Sequence, residues 1–401
     1  MKRQTRIGLI FAGGALAALS SYFAVAHPGH PPITPTTASA IPGVSADVPF
    51  ELFRGSRIVL SGKINGVETS MMLDSGAGIT TLDRKFAQRI GLKSGTAVTA
   101  QGSGGTDQGE LVTGATIEAG NLRLSDATVM VIDLAHIEKA VGRPIPVVLG
   151  REVFMNSVVG LDFEKQLLTL SPSQGFVAPR GATEVKLRRE GTAHFLPLSV
   201  DGLPPVEAAL DLGNGGALSV SKEYLDGAPQ LMALPYAVSL AGGVGGLFET
   251  RRVTLPKVEL AGFAFSKVPA DLGSISGGPY KGRVNAGIQL FRPFRLTLDL
   301  GNDRLWLQRT RAAVVFPKDR AGLFLTLDGD HFNVLHVSPG SPADHAGFKK
   351  GDTLVAIGGE RVGPAFYSSR FGSWSRSAAG TQVALTKGDG QTVRLTLADY
   401  Y

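Results

Sequence analysis

The chain has 401 residues, 43% of them hydrophobic and 18% charged, and a formal net charge of +6. That length asks for two or three cores rather than one, and that balance excludes an intrinsically disordered chain. With no cysteine, thiol catalysis, disulfides and cysteine-held zinc are excluded as well.

In chain order, the basic stretch MKRQTR precedes an apolar run from Ile7 that ends in Ala24-Val25-Ala26. This is the plan of a secretory signal peptide over residues 1–26, cleaved after Ala26 to leave a periplasmic or secreted protein. The same run is just long enough to span a bilayer uncleaved, which would anchor the chain in the inner membrane through residues 7–26. No other apolar run is long enough to cross. Without Lys2, Arg3 and Arg6 the 40 basic residues fall to 37 against 34 acids, a net of +3. No basic stripe with interleaved aromatics remains, so nucleic acid is not an expected partner. Residues 27–47 are rich in Pro, Ser and Thr and read as an extended linker, acting either as a propeptide over a cleft or as a spacer.

Fifty-two glycines beside 7% aromatic residues fit short strands joined by turns better than long helices. The first landmark is MMLDSGAGITTL, an apolar strand that runs into Asp74. An Asp beside Ser and Gly can be a simple Asx-turn. A second apolar strand, VEAALDLGNGG, ends in Asp211, 137 positions later. Gly150 in PVVLGREVF and Gly287 in NAGIQLF share that offset, as do Leu161 and Leu298, which open two strand-like runs. Each half also has a glycine-rich segment after its Asp, at Gly102–Gly105 and at Gly242–Gly246. The shared spacing predicts a duplicated, mainly β unit, two lobes facing each other across a pseudo-two-fold axis with one Asp loop from each.

These motifs resemble those of the retropepsin-like aspartic proteases, in the bacterial single-chain, two-lobed form, over about residues 48–310. Asp74-Ser75-Gly76-Ala77 matches the family's catalytic loop residue by residue, and Val148-Leu149-Gly150-Arg151 matches its late motif. The resemblance implies two β-barrel lobes, 48–178 and 179–312, and a catalytic pair, Asp74 and Asp211. Ser75, Gly76, Leu212 and Gly213 would support the catalytic loops. Gly102, Ser103, Gly104 and Gly105 would form one flap, with Gly242 and Gly243 in a second flap or a plain hairpin turn. No metal or cofactor is implied. The substrate would be an extended or unfolded polypeptide, and a monomer would complete the pair.

Two carboxylates in one site cannot both ionise cheaply, so the pair holds one proton over a wide pH range and can activate a water between them. The second lobe departs from the pattern. In the family a Ser or Thr hydroxyl after each Asp bonds to the opposite loop; Ser75 can do this and Leu212 cannot. Asn285-Ala286-Gly287 is also less apolar than the late motif usually is. These departures predict a weakened clasp that Leu212→Thr would repair. They also open a second reading, a catalytically inactive scaffold that kept the fold and binds peptides. Other chemistries lack their patterns: the seven histidines are scattered without a metal-binding pair, and no serine sits in a nucleophile elbow.

After Arg311 the texture changes. SPGSPADHAGFKKGDTLVAIGGERV, within residues 316–401, resembles a PDZ domain of the bacterial type. A short helix, Ala343–Ala346, should stop at Gly347, and a strand should follow Gly351-Asp352. The resemblance implies an α+β domain that adds a peptide C-terminus or hydrophobic segment to an exposed sheet edge. Gly322, Leu323 and Phe324 would meet the peptide carboxylate, Leu325–Leu327 would offer the edge, and a helix near Phe366–Arg376 would form the opposite wall.

Overall fold

The computed structural model describes residues 36–44, 46–200 and 202–401, so the signal-peptide expectation over residues 1–26 lies outside the described residues. The molecule is mainly β. It has two ring-closed mixed sheets, a sheet joining them, and a C-terminal antiparallel sheet. No helix among the described residues is long and apolar enough to cross a membrane.

The first ring runs Arg57–Ile64, Val67–Leu73, Val147–Leu149, Thr81–Asp83, Leu122–Ile132 and Gly105–Ala119. It closes where Ile64 meets Ile117. Val147–Leu149 is fully buried beside its parallel neighbour, as an unbroken apolar run requires. The second ring repeats the order with Ala193–Val200, Val206–Asp211, Val284–Gly287, Leu218–Ser221, Phe263–Ile275 and Gly246–Leu260, closing where Leu198 meets Leu260.

The joining sheet has the order Thr183–Lys186, Arg304–Arg309, Phe294–Asp299, Val158–Asp162, Leu167–Ser171, Asp47–Phe53. In its middle Gly160 lies opposite Thr297, the residue 137 positions later. The sequence offset thus recurs as a pairing in space. One apolar cluster runs through both rings and this sheet, while the C-terminal sheet has its own.

The offset rises to 141 over the long hairpins, where Gly102 corresponds to Gly243. Helix Arg84–Arg89 in the first half has two short helices as its counterpart, Lys222–Leu225 and Pro229–Met232. It returns to 137 because helix Ala135–Val141 is answered only by the 3-10 turn Gly278–Tyr280.

Two expectations need correction. Residues 27–47 are not linker throughout, because Thr37–Ala40 pairs with Leu122–Ser125 and Asp47 already begins a strand. Thr37–Ala40 contains no proline, so each residue can donate to an open sheet edge. The C-terminal sheet, Leu323–Asp328, His331–Val337, Thr353–Ile357, Gln382–Lys387 and Thr392–Thr396, carries the short helix as Pro342–His345, with Gly347 at φ +79° just beyond it. The helix expected near Phe366–Arg376 is instead two single 3-10 turns, Phe366–Ser368 and Trp374–Arg376. The intervening serines and glycine favour turns over helix. A Cβ on Gly372 would sit 2.2 Å from the Tyr367 carbonyl oxygen, so the backbone folds back on itself there.

Candidate active site

Strands Val67–Leu73 and Val206–Asp211 end at the same depth and deliver Asp74 and Asp211 to one point. Both side chains are 0% exposed. The two loops interlock. A Cβ on Gly76 would lie 2.6 Å from Asp211 Cγ, and one on Gly213 would lie 2.1 Å from Asp74 Cγ. Only glycine allows an acid of one loop to lie against the backbone of the other.

The hydrogen bonds around the pair are unequal. Asp74 Oδ1 accepts from the Gly76 and Ala77 N–H groups at 2.8 and 3.1 Å, and its buried Oδ2 is left to the neighbouring Asp211 carboxyl. Asp211 has a donor on each oxygen, Asn214 N–H on Oδ1 at 2.9 Å and Asn285 Nδ2 on Oδ2 at 2.7 Å. Burial, and then the charge of Asp211, push Asp74 well above the usual carboxylate range. Burial raises Asp211 too, but Asn285, Asn214 and Arg57 hold it back. Both carboxyls are thus raised by burial, and the donors on Asp211 favour the anion there and the shared proton on Asp74.

Ser75 makes the expected clasp. Its Oγ donates to Leu210 O at 3.2 Å and accepts from Leu212 N–H at 2.9 Å. Leu212 returns no such bond; it is fully buried in the main apolar cluster. On its side the loop is tied by amides instead. Asn214 Nδ2 donates to Asn285 Oδ1 at 2.8 Å, and Asn214 Oδ1 accepts from Gly216 N–H at 2.9 Å. Asn285, an irregularity in the late motif as read from sequence, is the residue that links this network to Asp211. The first loop is braced through Thr80, which donates to Glu152 Oε2 at 2.7 Å and accepts from Gly150 N–H at 3.0 Å.

Above the pair two hairpins meet. Gly102 pairs with Gly105, and Gly243 with Gly246, so the tips are Ser103-Gly104 and Val244-Gly245. Gly242 and Gly243, expected in a second flap, close strand Tyr236–Gly243 just before the tip, as Gly102 closes its own strand in the first hairpin. Gly104 N–H donates to Val244 O at 3.0 Å. Val244 is buried with Ala77, Ile79 and Ile132 of the opposite lobe.

Arg57 is the residue that the motifs did not reveal. It is 5% exposed, and its guanidinium fills the space over Gly215 in the Asp211 loop, where a Cβ would come within 1.5 Å of Nη1. Burial lowers its pKa to about 10 against the pull of Asp74 and Asp211, so it remains charged at neutral pH. A signal was present. At the shared offset Arg57 falls on His194, and both are buried polar residues in apolar strands.

Residues 60–153 match the family model described as aspartyl protease, a span that contains Asp74 and ends before Asp211, and residues 334–386 match the one described as PDZ domain. The chain carries an aspartyl protease domain followed by a C-terminal PDZ domain. No curated protein matches it. Among the described residues no group of three or more His, Cys, Asp or Glu could hold a metal ion.

The PDZ domain packs against residues of both halves that precede it. Its Tyr367 ring lies under the Arg54 guanidinium, 4.0 Å from Cζ to centroid, and edge-on to Phe53. His336 Nε2 and Ser338 Oγ both bond to Val238 O, at 3.1 and 2.6 Å. Leu323–Asp328 is an edge strand, as expected, but helix Ala135–Val141 of the first lobe packs beside it. Gly322, at φ +77°, donates its N–H to Asp319 Oδ2 at 2.8 Å. That N–H is engaged within the chain.

Proposed function

We propose that the chain is an aspartic endopeptidase in which Asp211 acts as general base and Asp74 as general acid. The observation that carries this reading is the buried, unequal carboxyl pair, assembled from two like loops and covered by two hairpins. A water held between the carboxyls would give a proton to Asp211 as its oxygen attacks the scissile carbonyl carbon. Asp74 would give its proton to the carbonyl oxygen, forming a tetrahedral gem-diol. Collapse returns a proton to Asp74 as the C–N bond breaks, and the amine leaves with the proton that Asp211 took. Arg57 favours the anion on Asp211 at rest.

The halves read as copies of one unit about a pseudo-two-fold axis between Gly160 and Thr297. The common strand order, the 137-residue offset and the pairing of those two residues support this. One chain then supplies both acids, and a monomer suffices. The lobes would be residues 48–178 and 179–312, and the PDZ domain, residues 316–401, would bind peptide tails or hydrophobic segments. Residues 1–26 support export to the periplasm or beyond, with anchoring through residues 7–26 as the alternative.

A second reading is a peptide-binding scaffold without activity, and Leu212 is the observation in its favour. A peptide-library digest at several pH values separates the two, run with wild type, Asp74→Asn and Asp211→Asn, with and without a pepstatin-type inhibitor. Cleavage lost in both variants is the expected outcome. Cleavage that survives both substitutions, or no cleavage by wild type at any pH, would end the hydrolase reading.

A further inference from the structure

We propose that Arg54 and Arg376, at the seam of the first lobe and the PDZ domain, receive the free C-terminal carboxylate of a polypeptide substrate, so that the cut is measured from that end. The inference rests on the hydrolytic reading above.

One cavity reaches from Arg57 and the Asp211 loop to the PDZ edge strand. Ser56, Arg57 and Gly215 line it on one side, and Gly322, Leu323 and Leu325 on the other. Arg54 and Arg376 stand between. Arg54 donates to Val141 O at 3.1 Å and Arg376 to Arg54 O at 3.2 Å. Among the described residues neither has a carboxylate at salt-bridge distance, whereas Arg252 in the same wall is held by both oxygens of Asp271 at 2.8 and 2.7 Å. Asp319 acts on Arg376 through its charge alone, its oxygen Oδ2 accepting from Gly322 N–H and the Tyr400 hydroxyl at 2.8 and 3.1 Å. Burial, and then the charge of Arg54, lower Arg376 to about 10, which leaves it charged at neutral pH. Two like charges in a partly buried wall favour an anion, and guanidinium forks suit a carboxylate. Arg54 is also held at φ +51°, a strained backbone for a non-glycine residue.

The shape favours a chain end over an internal segment. Helix Ala135–Val141 packs on strand Leu323–Asp328, and Lys139 meets Asp328 at its far end, 3.9 Å apart. A polypeptide running along the whole edge would collide with that helix. A terminus need only lay its last residues against Leu323–Leu325, with its carboxylate on the arginines, and turn toward the dyad past Arg57. An acidic side chain would bring the same charge but needs chain on both sides.

The test uses the full chain carrying Asp74→Asn, so that binding is read without cutting. Three fluorescein-labelled peptide pools are compared by anisotropy: random free acids, the same pool as C-terminal amides, and amides carrying one internal Glu. The free acids should bind about tenfold tighter than either amide pool. Arg54→Met and Arg376→Met, each added to Asp74→Asn, should remove that preference. With wild-type enzyme, lengthening a substrate by one residue at its C-terminus should move the cut by one bond. Equal binding of acids and amides, no binding of any pool, full rescue by internal Glu, or a preference that survives both arginine substitutions would each overturn the proposal. Acid-selective binding without any wild-type cleavage would sink the hydrolase reading and the measured cut, and leave the carboxylate site standing.

Discussion

Folding raises the pKa of Asp74, and this has a sign that can be measured. Its native pKa is raised by burial and by Asp211, so the folded state holds a proton that the unfolded chain releases above the ordinary carboxylate range. Stability therefore falls as pH rises from that range through the raised value. Asp74→Asn removes the titration, so the variant should melt above wild type at neutral pH, with the gap closing as pH falls toward about 4. Asn285→Leu should act on the other acid. It removes a donor that favours the Asp211 anion, so the acidic limb of kcat/KM should move to higher pH, with a stability loss of about 1–3 kcal/mol. The structure also reverses the expected sign for Leu212→Thr. A clasp bond gained there would come at the loss of a fully buried leucine from the main cluster, so the variant should melt lower than wild type, by about 1–3 kcal/mol in a denaturant titration.

At the scale of elements, the two hairpin tips meet over the pair because glycines let their backbones touch. A Cβ on Gly104 would stand 2.1 Å from Gly246 O, and one on Gly245, at φ +92°, 2.3 Å from the Gly105 carbonyl carbon. Gly104→Val should therefore part the tips. The expected result is a loss of roughly 10–100-fold in kcat/KM with a small change in Tm, because the strain falls on closure rather than on the rings. Equal kcat/KM in the variant would mean that the hairpins do not close over substrate. Helix Ala135–Val141 marks a difference between the two ring-closed halves. Its counterpart is only a 3-10 turn, and the extra length in the first half is what reaches the PDZ edge strand.

For the whole molecule, the contacts of the PDZ domain with the second lobe include a titratable group. His336 Nε2 bonds to Val238 O, and burial lowers its pKa, with Glu249 opposing and Lys350 assisting. A depressed histidine contributes to docking above its ordinary pKa and loses that contribution as pH falls. Docking should loosen as pH falls below about 6.5, seen as faster limited proteolysis of the connector at residues 311–317, and His336→Gln should flatten that dependence.

The acid loops, the offset of 137 and the PDZ pattern were legible because each is a local arrangement of residue types repeated or spaced along the chain. Gly76 and Gly213 could be marked from the loop motif alone, since close backbone approach demands glycine wherever it occurs. The roles of Arg57, Asn214 and Asn285 were not legible. Each depends on which atom of a distant strand it meets, and sequence records no such distance. The exact turn within the second glycine-rich segment was not legible for a similar reason: five residues of GGVGG offer several turns, and only pairing with the neighbouring strand selects Val244-Gly245. The expected helix at Phe366–Arg376 failed where serines and a glycine left the choice to packing. Sequence by itself determined a mainly β chain with two similar Asp-bearing turns 137 residues apart, because strand period and turn chemistry act over a few residues. Only the tertiary structure decided which donors surround each acid, that Arg57 stands beside the pair, and that a cavity runs from the Asp211 loop to the PDZ edge strand, because charge and burial are summed over atoms far apart in the chain.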